Sequence, residues 1–106
     1  MRALVLLGPN LGALGRRDPE RYGSETFQDV RATLLNPGAL AHYSHALRDA
    51  VEASGLAVIE VHQTNIYARE GFRSPSVVSP ACRALVVGLG TRGYHLGLEA
   101  LAWITG

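Results

Sequence analysis

Four short apolar runs, Ala3–Leu7, Ala32–Leu35, Ala57–Val61 and Ala84–Val87, constrain this chain more than any other feature. Each has the length of a β-strand, and each stops at a polar or glycine-bearing loop. Continuous apolar runs belong to strands covered on both faces, which is the condition of a parallel sheet. Helical patterns lie between the runs. In Ser44–Ser54, Ala46, Leu47, Ala50 and Val51 recur at helical spacing, and Gly55 supplies a stop. A shorter pattern lies near Ala68–Phe72, and a last one extends over Tyr94–Ile104. Strands alternating with helices predict an α/β domain with a doubly wound parallel sheet. The 106 residues form one domain, with room for a single core and not for two.

Such sheets bind ligands just beyond the carboxyl ends of their strands, so the loops after the runs are where chemistry is expected. After the first run, Gly8-Pro9-Asn10 opens a polar, glycine-rich stretch to Gly23 that carries Arg16, Arg17 and Tyr22. Two guanidiniums and a phenol suit an anionic ligand, and nearby positive charge favours phenolate. A solvated turn with incidental charges would read the same way, and this segment alone leaves both open. A second Asn, Pro, Gly loop, Asn36-Pro37-Gly38, follows the second run.

The third run ends in Glu60-Val61-His62. A period of two puts Glu60 and His62 on one face of the strand. A carboxylate beside an imidazole fixes its tautomer and raises its proton affinity, giving a positioned general acid; a purely structural pair is the other reading. Arg69 and Arg73 are four apart, so a helical turn would aim both the same way, toward carboxylate or hydroxyl groups or simply into solvent. His42 and His45 have no third ligand at matching spacing, so no metal is expected.

Several function classes drop out. The net charge is +1 with mixed signs along the chain, which leaves no basic stripe for nucleic acid. No apolar run approaches the roughly 20 residues of a membrane span, and the first run is too short for a signal sequence. The single cysteine, Cys82, cannot form an internal disulfide; it reads as a buried thiol in a cytoplasmic protein. All ten basic residues are arginine, so Schiff-base catalysis through lysine is excluded. Gly88-Leu89-Gly90-Thr91-Arg92-Gly93 fits the G-x-G-x-x-G pattern, but a dinucleotide site needs a further strand and an acid about 20 residues on, and neither follows. These glycines are expected to let the backbone turn between the last strand and the last helix.

Taken in order, Gly8-Pro9-Asn10-Leu11, Leu14-Gly15-Arg16-Arg17, Tyr22-Gly23, Asn36-Pro37-Gly38, His42, Ser44, Leu47-Arg48-Asp49, Glu60-Val61-His62, Asn65-Ile66, Ala68-Arg69-Glu70, Phe72-Arg73, Ser79-Pro80 and Gly88-Leu89-Gly90 with Gly93-Tyr94 closely resemble the type II 3-dehydroquinate dehydratases. No single motif is unique, but their ordered coincidence along nearly the whole chain is specific. The resemblance implies a flavodoxin-like fold and a small-molecule substrate. It also implies dehydration of 3-dehydroquinate to 3-dehydroshikimate in the shikimate pathway, through an enolate, with neither cofactor nor metal.

The resemblance further implies roles. Tyr22 would remove the proton alpha to the ketone, and Arg17 and Arg69 would hold it as phenolate. Lowering a phenol from pKa about 10 to near 7 takes roughly 4 kcal/mol, within reach of two close guanidiniums. Asn10 would position the water that stabilises the enolate. His62, oriented by Glu60 and assisted by Asn36, would protonate the departing hydroxyl. His42 and Arg73 would bind ring hydroxyls, the backbone amides of Gln63 and Thr64 the carboxylate, and Gly38 would line the pocket. The stretch from Leu11 to Gly23 would act as a lid that excludes water. The family assembles as dodecamers built from trimers, and Asp49 would reach a neighbour's site in that homo-oligomer.

The chain departs from the family between Val30 and Arg31, where several dozen family residues have no counterpart. These complete the first helix and add an edge strand, a loop and a second helix. Either the protein is a trimmed natural variant or the sequence omits a segment that the natural protein has, and the close match of the flanking residues favours omission; a true loss would leave the central layout intact and one side of the sheet less covered. Gln63-Thr64 replaces the family's aliphatic residue and serine, and Gly71 its usual glutamate. Two other functional classes stay open: a catalytically impaired flavodoxin-like interaction protein, and a phosphate-binding module using the Gly8-Pro9-Asn10 loop.

Overall fold

The computed structural model describes residues 3–7, 32–69, 71 and 75–105. Within them, four strands, β1 (Ala3–Leu7), β2 (Ala32–Asn36), β3 (Ala57–His62) and β4 (Ala84–Val87), form one sheet in the order β1-β2-β3-β4. Every neighbouring pair is parallel, with Leu6 opposite Leu35, Leu35 opposite Glu60 and His62 opposite Val87. This is the flavodoxin-like order 2-1-3-4-5 without its outer strand, so β1 forms an edge of the described sheet.

Helices α1 (His45–Ser54) and α2 (Arg92–Thr105) cover opposite faces. Helix α1 starts where Ser44 Oγ accepts the Leu47 amide at 3.1 Å, an N-cap typically worth about 1 kcal/mol, and it stops at Gly55. Its inward face places Leu47 and Val51 against Leu35, Val58 and Val78. The opposite face of the sheet presents Ala32, Leu34, Ile59 and Val61 to Leu101 of α2. Leu34, Ile59, Val61 and Leu101 are fully buried, each contributing roughly 1.5–3 kcal/mol of apolar burial.

Gly93, Gly97 and Leu101 form the buried stripe of α2. A Cβ at Gly97 would lie 2.8 Å from Leu34 Cδ2, so the helix sits closer to the sheet there than any side chain permits. The glycines before α2 serve as turns: Gly88 and Gly90 have φ of 91° and 59°, left-handed values that other residues rarely adopt. Helix α2 begins at Arg92, two residues ahead of its apolar pattern.

Of the short helix expected near Ala68–Phe72, Glu70 and Phe72 lie outside the described residues. A 3₁₀ turn, Ile66–Ala68, leads into it, capped by Asn65 Oδ1 accepting the Tyr67 amide at 3.0 Å, and Arg69 is extended. The spacing offered for Arg69 and Arg73 reaches outside the described residues at Arg73. No described helix is long and apolar enough to cross a membrane.

Candidate active site

Parallel strands end at one edge, and this edge gathers Asn36 from β2 and Glu60 and His62 from β3. All three side chains are buried, Glu60 to 0% exposure. An isolated carboxylate at such a position would be strongly disfavoured, so its partners decide its state. His62 Nε2 bonds to Glu60 Oε2, Ser76 Oγ donates to the same oxygen at 2.9 Å, and Ser79 Oγ donates to Oε1 at 2.5 Å. Burial pushes the carboxyl up, but the bonds from His62, Ser79 and Ser76, with the charge attraction of His62, outweigh it and hold the group below its ordinary value. Glu60 is thus a carboxylate at neutral pH and can only accept. Nε2 of His62 therefore carries its proton, and Nδ1 is left for exchange with a ligand.

Asn36 is fixed at both ends of its amide. Its Oδ1 accepts the Gly38 amide at 3.0 Å and its Nδ2 donates to the Tyr94 hydroxyl at 2.8 Å. The same hydroxyl accepts from Gln63 Nε2 at 3.3 Å, so Tyr94, from the first turn of α2, ties the ends of β2 and β3 together. His42, at the end of a 3₁₀ turn over Gly38–His42, bonds through Nδ1 to the Pro75 carbonyl at 2.7 Å. A carbonyl only accepts, so Nδ1 carries the proton and Nε2 is an acceptor suited to a hydroxyl. Thr64 follows Gln63 beyond β3, and its hydroxyl accepts from Arg69 Nη2 at 2.6 Å. Asp49 lies on the exposed side of α1, apart from this group.

Asn10, Arg17, Tyr22 and Arg73 lie outside the described residues. Tyr94, Ser76 and Ser79 are the polar groups that sequence reasoning left without a role. One signal pointed to the serines: a glutamate inside an apolar strand requires donors, and Ser76 and Ser79 stand in a loop between prolines. Cys82 is half-buried, its thiol donating to the Val78 carbonyl at 3.5 Å, and it is pushed up to about 12 by burial and then by the charge of Glu60. That leaves it a poor nucleophile. No three His, Cys, Asp or Glu side chains among the described residues gather as a metal site.

The family model for class II dehydroquinases matches residues 1–35 and 28–102. The chain belongs to that family. A 3-dehydroquinate dehydratase from Pelodictyon phaeoclathratiforme is 40% identical over 142 residues, spanning 99% of this chain and 94% of that protein. That span exceeds the 106 residues here, so the relative carries residues this chain lacks. Among solved structures, the type II dehydroquinase from Butyrivibrio crossotus aligns with a TM-score of 0.79 and 31% identity, covering 96% of this chain and 97% of that one. The Propionibacterium acnes type II dehydroquinase aligns at 0.75 and 34%, over 97% and 99%. The flavodoxin-like α/β fold is shared with these neighbours.

Proposed function

We propose that this chain is a single catalytic domain that dehydrates 3-dehydroquinate to 3-dehydroshikimate by anti elimination. The observation that carries the reading is the buried Glu60–His62 pair at the carboxyl edge of the central strands, within a chain of the class II family. Tyr22, as phenolate beside Arg17 and Arg69, removes the proton alpha to the ketone, and the electron pair forms an enolate. Asn10 positions a water on the enolate oxygen. As the enolate collapses, the ring double bond forms and the carbon–oxygen bond breaks. The hydroxyl leaves as water with a proton from Nδ1 of His62 in its imidazolium form, which returns to the neutral imidazole with Nε2–H still bonded to Glu60.

Glu60 accepts from Nε2 and offsets the charge of the imidazolium that this step needs, and Asn36 steadies the departing oxygen. His42 and Arg73 receive ring hydroxyls, His42 through Nε2. The amides of Gln63 and Thr64 take the carboxylate, with Gly38 lining the pocket. Asp49 completes the site of an adjacent subunit in a dodecamer of trimers. The residues absent here relative to the family lie between Val30 and Arg31, and the reading places them at an outer strand, away from β2 and β3.

A second reading, the same fold without turnover, is favoured by one observation: this chain lacks residues that its relatives carry. Incubation with 3-dehydroquinate separates the two. The enzyme produces a conjugated enone and rising ultraviolet absorbance, and borohydride causes no substrate-dependent inactivation. No absorbance change with folded, oligomeric protein refutes the activity, and trapping of a covalent adduct refutes the enolate route.

A further inference from the structure

We propose that Ser76 and Ser79 are positioning residues that hold the Glu60–His62 pair in its working geometry; this rests on the function proposed above. The Glu60 carboxylate is gripped at both oxygens by hydroxyls of one short segment, residues 75–79. Direction is built in at Ser76. Its Oγ accepts the amides of Val78 at 3.3 Å and Ser79 at 3.1 Å, so its lone pairs are engaged and its proton is aimed at Oε2. Ser79 opens the 3₁₀ turn Ser79–Ala81, and that turn packs beside Val78 against α1.

The same segment also secures the other imidazole. The Pro75 carbonyl accepts from His42 Nδ1, and the Val77 amide donates to the Ala41 carbonyl at 2.7 Å. One strap therefore indexes both histidines, His42 directly and His62 through Glu60. Rotation of the Glu60 carboxylate would break its bonds to Ser76, Ser79 and His62 together, so the imidazole plane is set by residues that never meet a ligand. The titratable groups facing Glu60 among the described residues are His62 on its own strand and Cys82 after the turn; α1 presents Leu47 and Val51 to that face.

The test compares Ser79→Ala, Ser76→Ala and Ser79→Thr with the unaltered protein, each confirmed folded by circular dichroism. The direct readout is titration of the Glu60 side-chain carboxyl by carbon NMR on the assembled protein, which needs no activity. Losing one hydroxyl donor to a charged acceptor should raise that titration by about one pH unit and lower kcat about tenfold, with KM within about twofold. Ser79→Thr keeps the hydroxyl and should stay with the unaltered protein in both readouts. If either alanine variant fails to fold, the other together with Ser79→Thr decides.

An unmoved Glu60 titration in a folded alanine variant overturns the proposal, as does a Ser79→Thr variant that behaves like Ser79→Ala. Inactive unaltered protein with the Glu60 shift intact would instead remove the dehydratase reading and leave the positioning role standing.

Discussion

Replacing Glu60 by glutamine keeps the side-chain shape and removes only the charge. Oε2 faces two donors, His62 Nε2 and Ser76, whereas Oε1 faces Ser79 alone. The amide of Glu60→Gln should therefore put its oxygen at the Oε2 position and its NH₂ toward Ser79, whose hydroxyl must turn to accept. What is lost is charge assistance in the bonds to His62 and Ser76, partly offset by the relief of desolvation. At neutral pH the net cost is about 1–3 kcal/mol of stability. In a domain of this size that lowers Tm by roughly 4–8 °C for each kcal/mol.

The pH dependence has a definite sign. The folded carboxyl titrates below its ordinary value near 4.5, so its stabilisation is fully present above that value and is lost as pH falls through the folded pKa. Urea unfolding from pH 5.5 to 3.5 should show the gap between the unaltered protein and Glu60→Gln closing as pH falls. Turnover should drop about 10²-fold with affinity for product-like ligands little changed, because a mispaired His62 loses both its tautomer and its orientation. A gap of constant size across that range would mean that the folded carboxyl titrates no lower than in the unfolded chain, and a gap that widens as pH falls would mean that it is protonated in the fold. An equal loss of affinity at unchanged turnover would make the pair a binding element.

Tyr94→Phe removes the acceptor shared by Asn36 and Gln63. It should lower kcat/KM about tenfold and stability by about 1 kcal/mol; a stability loss with unchanged kcat/KM would confine the hydroxyl to the fold. Gly97→Val drives a branched side chain into Leu34 and should cost about 1–3 kcal/mol in chemical unfolding. Adding Leu34→Ala should return part of that cost in a double-mutant cycle, and strict additivity would refute the close helix–sheet contact.

β2 and β3 were legible because burial on both faces leaves an unbroken apolar signature, and the β1 and β4 runs, partly exposed, lie in the sheet beside them. Helix α1 was legible from its own ends, Ser44 and Gly55, and from Leu47 and Val51 between them. Near Ala68, Asn65 caps a 3₁₀ turn over Ile66–Ala68, and the rest of that pattern reaches outside the described residues. Glu60 and His62 could be paired from the strand period alone. Their partners could not. Ser76 and Ser79 lie 16 and 19 residues from Glu60, and Tyr94 lies 58 from Asn36, separations that leave no periodic trace.

A sheet whose strands all point one way has two unlike rims. At the amino-terminal rim Ala3, Ala32 and Ala57 stand in register, and Ala84 begins β4. Asn36 and His62 close β2 and β3 at the other. Among the described residues the first rim carries Ala32, Ala57 and Ala84, with Arg83 just ahead of β4; the second concentrates the donors and acceptors of the candidate site. Drift at the first rim can tighten or loosen the domain while the chemistry stays untouched, and drift at the second rim can retune reactivity over an unchanged frame. The two traits are separately adjustable because strand direction has sorted them to opposite ends.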